Sequence, residues 1–137
     1  MPIKFYNSNI LFRLRNKKKI KSWINGVVSN HGYMVENISI IFCSEEEIHR
    51  INNHFLNHNY FTDIITFPYS NGKSISADLY ISVPTVKENA KLYKQLFSIE
   101  LNRVIIHGVL HLLGYDDKTE EMKKRIRVAE ENSLKLL

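Results

Sequence analysis

The sequence predicts a single α/β (α+β) domain, a small mixed sheet of about four strands covered by about five helices. Three observations carry that expectation. Segments rich in β-branched and aromatic residues are interleaved with segments whose apolar residues recur at helical spacing. A chain of 137 residues, 44% hydrophobic and 24% charged, can bury a core without staples and does not have a disordered composition. Its five glycines and three prolines are scattered, and no repeat or low-complexity linker breaks the chain, so residues 1–137 read as one domain.

The elements follow in order. A short strand is expected near 3-IKFY-6, then a basic helix over about 16–30 in which Ile20, Trp23, Ile24, Val27 and Val28 share a face. His31-Gly32 is its stop, with glycine free to take positive φ. The segment 37-NISIIFCS-44 reads as a strand. The next helix, 44-SEEEIHRINNHFL-56, opens with Ser44 as N-cap and Glu47 three residues on, and carries the apolar ridge Ile48, Ile51, Phe55. Strands 63-DIITFPY-69 and 77-ADLYISV-83 are joined by the turn-like 70-SNGK-73. Pro84 starts a helix that runs to about Gln95, because its missing N–H costs least in a first turn. Ser98 caps a helix over roughly 98–113, and Lys118 onward is a last helix.

Charge and cysteine usage bound the partners. The formal charge of +5 and pI of about 9.3 arise largely from 13-RLRNKKKIK-21 and 123-KKRIR-127. Such a balance points to anionic partners, nucleic acid first among them. The lone Cys43 excludes an internal disulfide framework and reads as a small buried hydrophobe, which fits a reducing compartment. The start, MPIKFYNSNI, has no basic region followed by an apolar one, and no run approaches the roughly 18 apolar residues of a membrane span. A soluble, cytoplasmic protein with no membrane partner is expected.

The chemistry concentrates in 107-HGVLHLLGYDD-117. The helix 98-SIELNRVIIHGVLHLL-113 is apolar on most of its circumference, while Glu100, Arg103, His107 and His111 form one polar stripe at spacings of three and four. Histidines at i and i+4 aim two nitrogens at a common point, as a divalent metal requires. Gly114 then suits the left-handed position that reverses the chain, and the reversal brings Asp117 back as third ligand, with the adjacent Asp116 as its rival. The pattern H-x-x-x-H-x-x-G-x-x-D has the spacing of the metzincin motif, with Gly108 where those proteases carry their glutamate base and Asp117 where they carry a third histidine. A metal site is therefore expected at the end of a buried helix, without a protease mechanism. His31, His49, His54 and His58 lack a matching ligand set and read as surface or loop residues, with His54 or His58 available to face RNA.

With those residues in hand, the chain resembles the YbeY family of bacterial metal-dependent endoribonucleases. Its signature H-G-x-L-H-L-x-G-Y-D-H is matched through 107-HGVLHLLGYD-116, and 62-TDIITFP-68 and 78-DLYIS-82 resemble two further family strands in the same order. The resemblance implies a zincin-like fold, one bound metal usually taken as zinc, and action on single-stranded RNA. It further implies maturation of ribosomal RNA at the 3′ end of the small-subunit rRNA, ribosome quality control, and contact with the small ribosomal subunit and its proteins. Carried over by position, the ligands are His107, His111 and Asp117. Three departures stand out: Asp117 replaces the motif's last histidine, Ala77 replaces a common glycine, and Leu56 stands where the family often has an arginine.

The resulting expectation is metal-assisted phosphodiester cleavage, with the metal polarising a phosphoryl oxygen and activating its bound water, while the sequence leaves open whether that water or the RNA's own 2′-hydroxyl attacks. The residues beyond the ligands are not fixed by the sequence. Arg103, on the histidine stripe, and Asp78, on a strand, are candidates, and Arg103 or the Arg13–Lys21 cluster could bind phosphate. Asp63 after Thr62 reads as a turn or capping carboxylate. A carboxylate ligand leaves the site about one unit less positive than three histidines would, which predicts a higher pH optimum than the family norm. The basic helix would steer RNA electrostatically. The competing reading is a ribosome-assembly or RNA-binding factor with a structural metal.

Overall fold

The computed structural model describes residues 2–56, 62–70 and 72–137, the side chains of residues 55 and 56 excepted. Their elements are β1 (Ile3–Ser8), α1 (Lys17–Asn30), β2 (Met34–Cys43), α2 (Glu45–Leu56), β3 (Ile64–Pro68), β4 (Ser74–Ser82), α3 (Val83–Leu92), α4 (Phe97–Leu112) and α5 (Glu120–Leu134). The four strands form one mixed sheet in the order β1-β2-β4-β3. β1, β2 and β4 run parallel, and β3 is antiparallel to β4 with Ile65 opposite Tyr80. The expected class, strand number and helix number are met among the described residues.

Strand alternation divides the molecule into two layers of helices. On one face, Ile38, Ile40 and Phe42 of β2 and Leu79 and Ile81 of β4 pack with Ile24, Val27 and Val28 of α1 and with Ile105, Ile106 and Val109 of α4. On the other, Ile65 and Cys43 meet Ile48 and Ile51 of α2, with Phe67 and Tyr80 alongside. Burial pushes the Cys43 thiol up to about 12, with the charge of Glu47 adding to it, so this cysteine is the inert apolar group expected. The Trp23 indole N–H donates to the Ser133 carbonyl at 2.7 Å, tying α1 to α5.

Several boundaries differ from expectation. β2 and β4 start earlier, at Met34 and Ser74, which pair with each other. The hydroxyls of Ser74 and Ser76 donate to the Glu36 carboxylate there, so a polar stretch is held in strand form by side-chain bonds that periodicity does not report. α3 ends at Leu92 rather than Gln95, because Lys94 takes a left-handed φ of 55° and turns the chain. Ser98 does not cap α4: the N-cap is Leu96, and Phe97 already lies in the helix. α5 begins two residues after Lys118, where Thr119 accepts the Met122 N–H. Ser44 caps α2 as expected, accepting the Glu47 N–H at 3.1 Å. His58 and the side chains of Phe55 and Leu56, as well as Asn71 in the β3–β4 turn, lie outside the described residues.

α4 is the element that positions the chemistry. Leu101, Val104, Ile105, Ile106, Val109 and Leu110 are all buried, which fixes the helix rotation and leaves the His107–His111 stripe facing out. Gly114 has φ +102°, a conformation costly for any residue with a Cβ, and the Tyr115 N–H returns to the Leu110 carbonyl. No described helix is long and apolar enough to cross a membrane.

Candidate metal centre

His107, His111 and Asp117 converge beyond the end of α4, each offering one ligand atom, all within 4.8 Å of one another. The two Nε2 atoms are 3.0 Å apart, and Asp117 Oδ2 lies 3.8 Å from the first and 3.6 Å from the second. Metal–ligand bonds of about 2.0–2.2 Å at tetrahedral angles put ligand atoms roughly 3.3–3.6 Å apart, close to what this triad presents. Two ring nitrogens and a carboxylate oxygen facing one another at such distances require a shared proton or a cation between them. The donor set therefore fits a divalent ion.

The orientation of His107 is set by a residue the sequence reading missed. Glu130, on α5 and only 6% exposed, places Oε2 2.6 Å from His107 Nδ1. With the Nδ1 proton donated to that carboxylate, the Nε2 lone pair is left pointing at the other two ligands. Arg103 completes the line, with Nη1 3.4 Å from Glu130 Oε1 and Nη2 2.7 Å from Glu131 Oε1. Burial opposes charging of His107, but the hydrogen bond and charge of Glu130, joined by Asp63 and Asp117, outweigh it and hold the ring's pKa above the ordinary histidine value. The signal in the sequence was a carboxylate on a buried stripe. Ile126, Ala129 and Ser133 mark the inner face of α5, and Glu130 is buried with them.

The triad sits where two grooves meet, of about 510 Å³ and 550 Å³, which share Asp63, Ile64, His107 and Asp117. Asp63 plays the expected turn role, its carboxylate accepting its own N–H and that of Ile64. It also lines both grooves, and burial raises its pKa against the opposing charge of His107. Glu100, from the helix stripe, is buried in the first groove with its pKa raised by desolvation. Arg103 reaches that groove too.

Asp78 is not brought to the site. Its strand position places it on the α2 side of the sheet, opposite Phe67, where it accepts the Tyr69 hydroxyl at 2.7 Å. Asp116 turns away from the ligands, accepting the Asp117 N–H at 2.7 Å and lining a separate hollow with His31 and Tyr115. His31 is structural: Nδ1 bonds the Val27 carbonyl, and Nε2 bonds the Tyr115 hydroxyl of the loop that carries Asp117. His49 and His54 belong to α2 and are not in the ligand group. Gly108 faces the sheet, where an added Cβ would lie 2.6 Å from Ile64 Cδ1 and 3.4 Å from Leu79 Cδ2.

Comparison with known proteins finds relatives that cover most or all of the chain. A family model described as Endoribonuclease YbeY matches residues 4–137. The chain is 41% identical over 137 residues to an endoribonuclease YbeY of Parabacteroides distasonis, covering 100% of this chain and 96% of the relative. It is 45% identical over 112 residues to that of Karelsulcia muelleri, covering 82% and 79%. A solution structure from Thermotoga maritima superimposes with a TM-score of 0.63 at 27% identity, covering 96% of this chain and 88% of that one.

Proposed function

The chain belongs to the endoribonuclease YbeY family, and from that premise we propose a metal-dependent hydrolase that cuts single-stranded RNA during ribosomal RNA processing, at the 3′ end of the small-subunit rRNA. The proposal places it in the cytoplasm, in contact with the small subunit and its proteins, with one zinc ion held by His107, His111 and Asp117. The observation that carries it is the convergence of those three donors at the end of α4, with one ring backed by Glu130.

A divalent ion at these ligands supplies a Lewis acid for a phosphoryl oxygen and the means to activate water near neutral pH. The chain's own residues do the rest. Glu130 holds His107 in the tautomer that presents Nε2, and Arg103 neutralises that buried carboxylate. Asp63, on the shared wall of both grooves and with its pKa raised by burial, would be the carboxylate that accepts a proton from the attacking oxygen. Position 108 contributes no base, since a side chain there would enter the sheet between Ile64 and Leu79.

The test is cleavage of a single-stranded RNA by wild type and His111→Ala, with metal content measured in both. Cleavage and bound metal in wild type, both lost in the variant, are expected. RNA binding without cleavage in either protein would refute the nuclease and favour an assembly factor with a structural metal.

A further inference from the structure

The grooves at the triad are poorly charged for attracting a polyanion. The first is lined by four carboxylates, Asp63, Glu100, Asp117 and Glu130, against three cations, Arg103, Lys123 and Arg127. The second has Asp63 and Asp117 and no described lysine or arginine. Even a bound divalent ion leaves little excess positive charge there, whereas RNA presents a phosphate at every nucleotide. The chain's basic excess must therefore act elsewhere.

It gathers at the opposite end of α4. A hollow of about 660 Å³ is bordered by Arg13, Arg15, Lys19 and Lys87, has Phe12 and Phe97 among its walls, and is lined by no aspartate or glutamate. Among the described residues none of these four cations is in an ion pair. Phe12 and Phe97 pack edge to face at 5.9 Å, and Lys87 Nζ lies 5.9 Å from the Phe97 ring centre. Unpaired cations around aromatic rings suit a single strand, whose phosphates take the charges and whose bases stack on rings. An acidic protein surface would use the charges but not the rings. Ser98 and Asn102 of α4 border the same hollow, while His107 and His111 lie further along that helix. At 1.5 Å per residue the separation along the axis is about 8–20 Å, at most a few nucleotides of extended strand.

We infer that this hollow is a second RNA site, a docking site for the single-stranded backbone that anchors the substrate a few nucleotides at most from the point of cleavage. The inference rests on the endoribonuclease reading for its substrate class, but it concerns residues remote from the metal ligands.

The experiment compares the parent with Arg13→Ala/Arg15→Ala/Lys19→Ala, all exposed positions, by fluorescence anisotropy across a salt series. Binding is measured in a His111→Ala background, so that it does not depend on cleavage. With an RNA of about 20 nucleotides the triple variant should bind at least tenfold more weakly, and its log Kd against log salt should flatten by about two units, given roughly 0.7 per phosphate contact on single strands. In the His111-intact protein, kcat on a dinucleotide, too short to reach from the metal site to the hollow, should not change. An unchanged salt slope, or polyglutamate bound as tightly as RNA by the parent, overturns the docking site. Loss of RNA binding in the triple variant, with no cleavage by wild type, would leave the docking site standing and remove the nuclease instead.

Discussion

Glu130 illustrates how one buried charge organises a site. Its carboxylate would be untenable alone at 6% exposure, and it is stabilised by Arg103 on one side and His107 on the other. Removing it in Glu130→Ala should weaken metal binding by about 10–100-fold, read by chelator competition, while circular dichroism stays native. The same pair sets a pH dependence. Since the folded His107 pKa lies above the ordinary value, the pair's stabilisation of the metal-free protein is full below that value and is lost as pH rises through the folded pKa. Urea denaturation of chelated wild type and Glu130→Gln should thus differ most near pH 5.5–6 and converge above the raised pKa. A gap that widened with pH would show the sign to be wrong. Metal competes for the neutral ring, so its affinity should fall as pH drops through the same range.

Asp63 and Gly108 offer contrasting tests at the same scale. Asp63→Asn should lower kcat by about 10²–10⁴-fold with metal affinity retained, as for loss of a proton acceptor. If kcat is unchanged, Asp63 is a turn carboxylate and nothing more. Gly108→Ala should be nearly neutral, because only the terminal methyl of Ile64 must move and alanine favours the helix. Gly108→Glu would force a charge between Ile64 and Leu79 and should destabilise the fold by more than about 3 kcal/mol in denaturant titration, without creating peptidase activity.

At the scale of elements, the strongest sequence signals were those with a single physical cause. The apolar face of α1, from Ile20 to Val28, and the nearly all-round burial of α4 follow from periodicity alone, and both are seen. The i, i+4 histidines and the Gly114 turn were legible for the same reason, since helix geometry and positive φ tie them to one another locally. What escaped notice depends on contacts between distant segments. Glu130 meets His107 across 23 residues, and the early starts of β2 and β4 depend on Glu36 bonding serines about 40 residues away. Asp78 and Asp63 lay on neighbouring strands in the sequence reading, yet strand alternation puts Asp78 on the α2 face, away from the ligands. Packing of α5 should matter to the metal for this reason: Ile126→Ala, at a buried position, should cost about 2–4 kcal/mol and weaken metal binding with it, by loosening the helix that carries Glu130.

Across the whole molecule, the two hollows beside α4 differ in charge. The groove at the triad sets four carboxylates against three cations, whereas the hollow at the start of α4 is bordered by four cations and no aspartate or glutamate, and on the proposed reading substrate attraction and bond cleavage fall to different faces of one helix. Asp117 adds to the negative end, and a carboxylate in place of a third histidine should raise the pH optimum of cleavage; Asp117→His should lower it. The proposed role of His107, His111 and Asp117 is to hold together the ion on which RNA cleavage depends. It is tested most directly by stripping the protein with chelator and titrating zinc back while following cleavage of a single-stranded RNA. Activity should return in proportion to zinc and saturate at one equivalent per chain, with no recovery in His107→Ala or His111→Ala. Full cleavage by the stripped protein, or equal recovery in those variants, would contradict it.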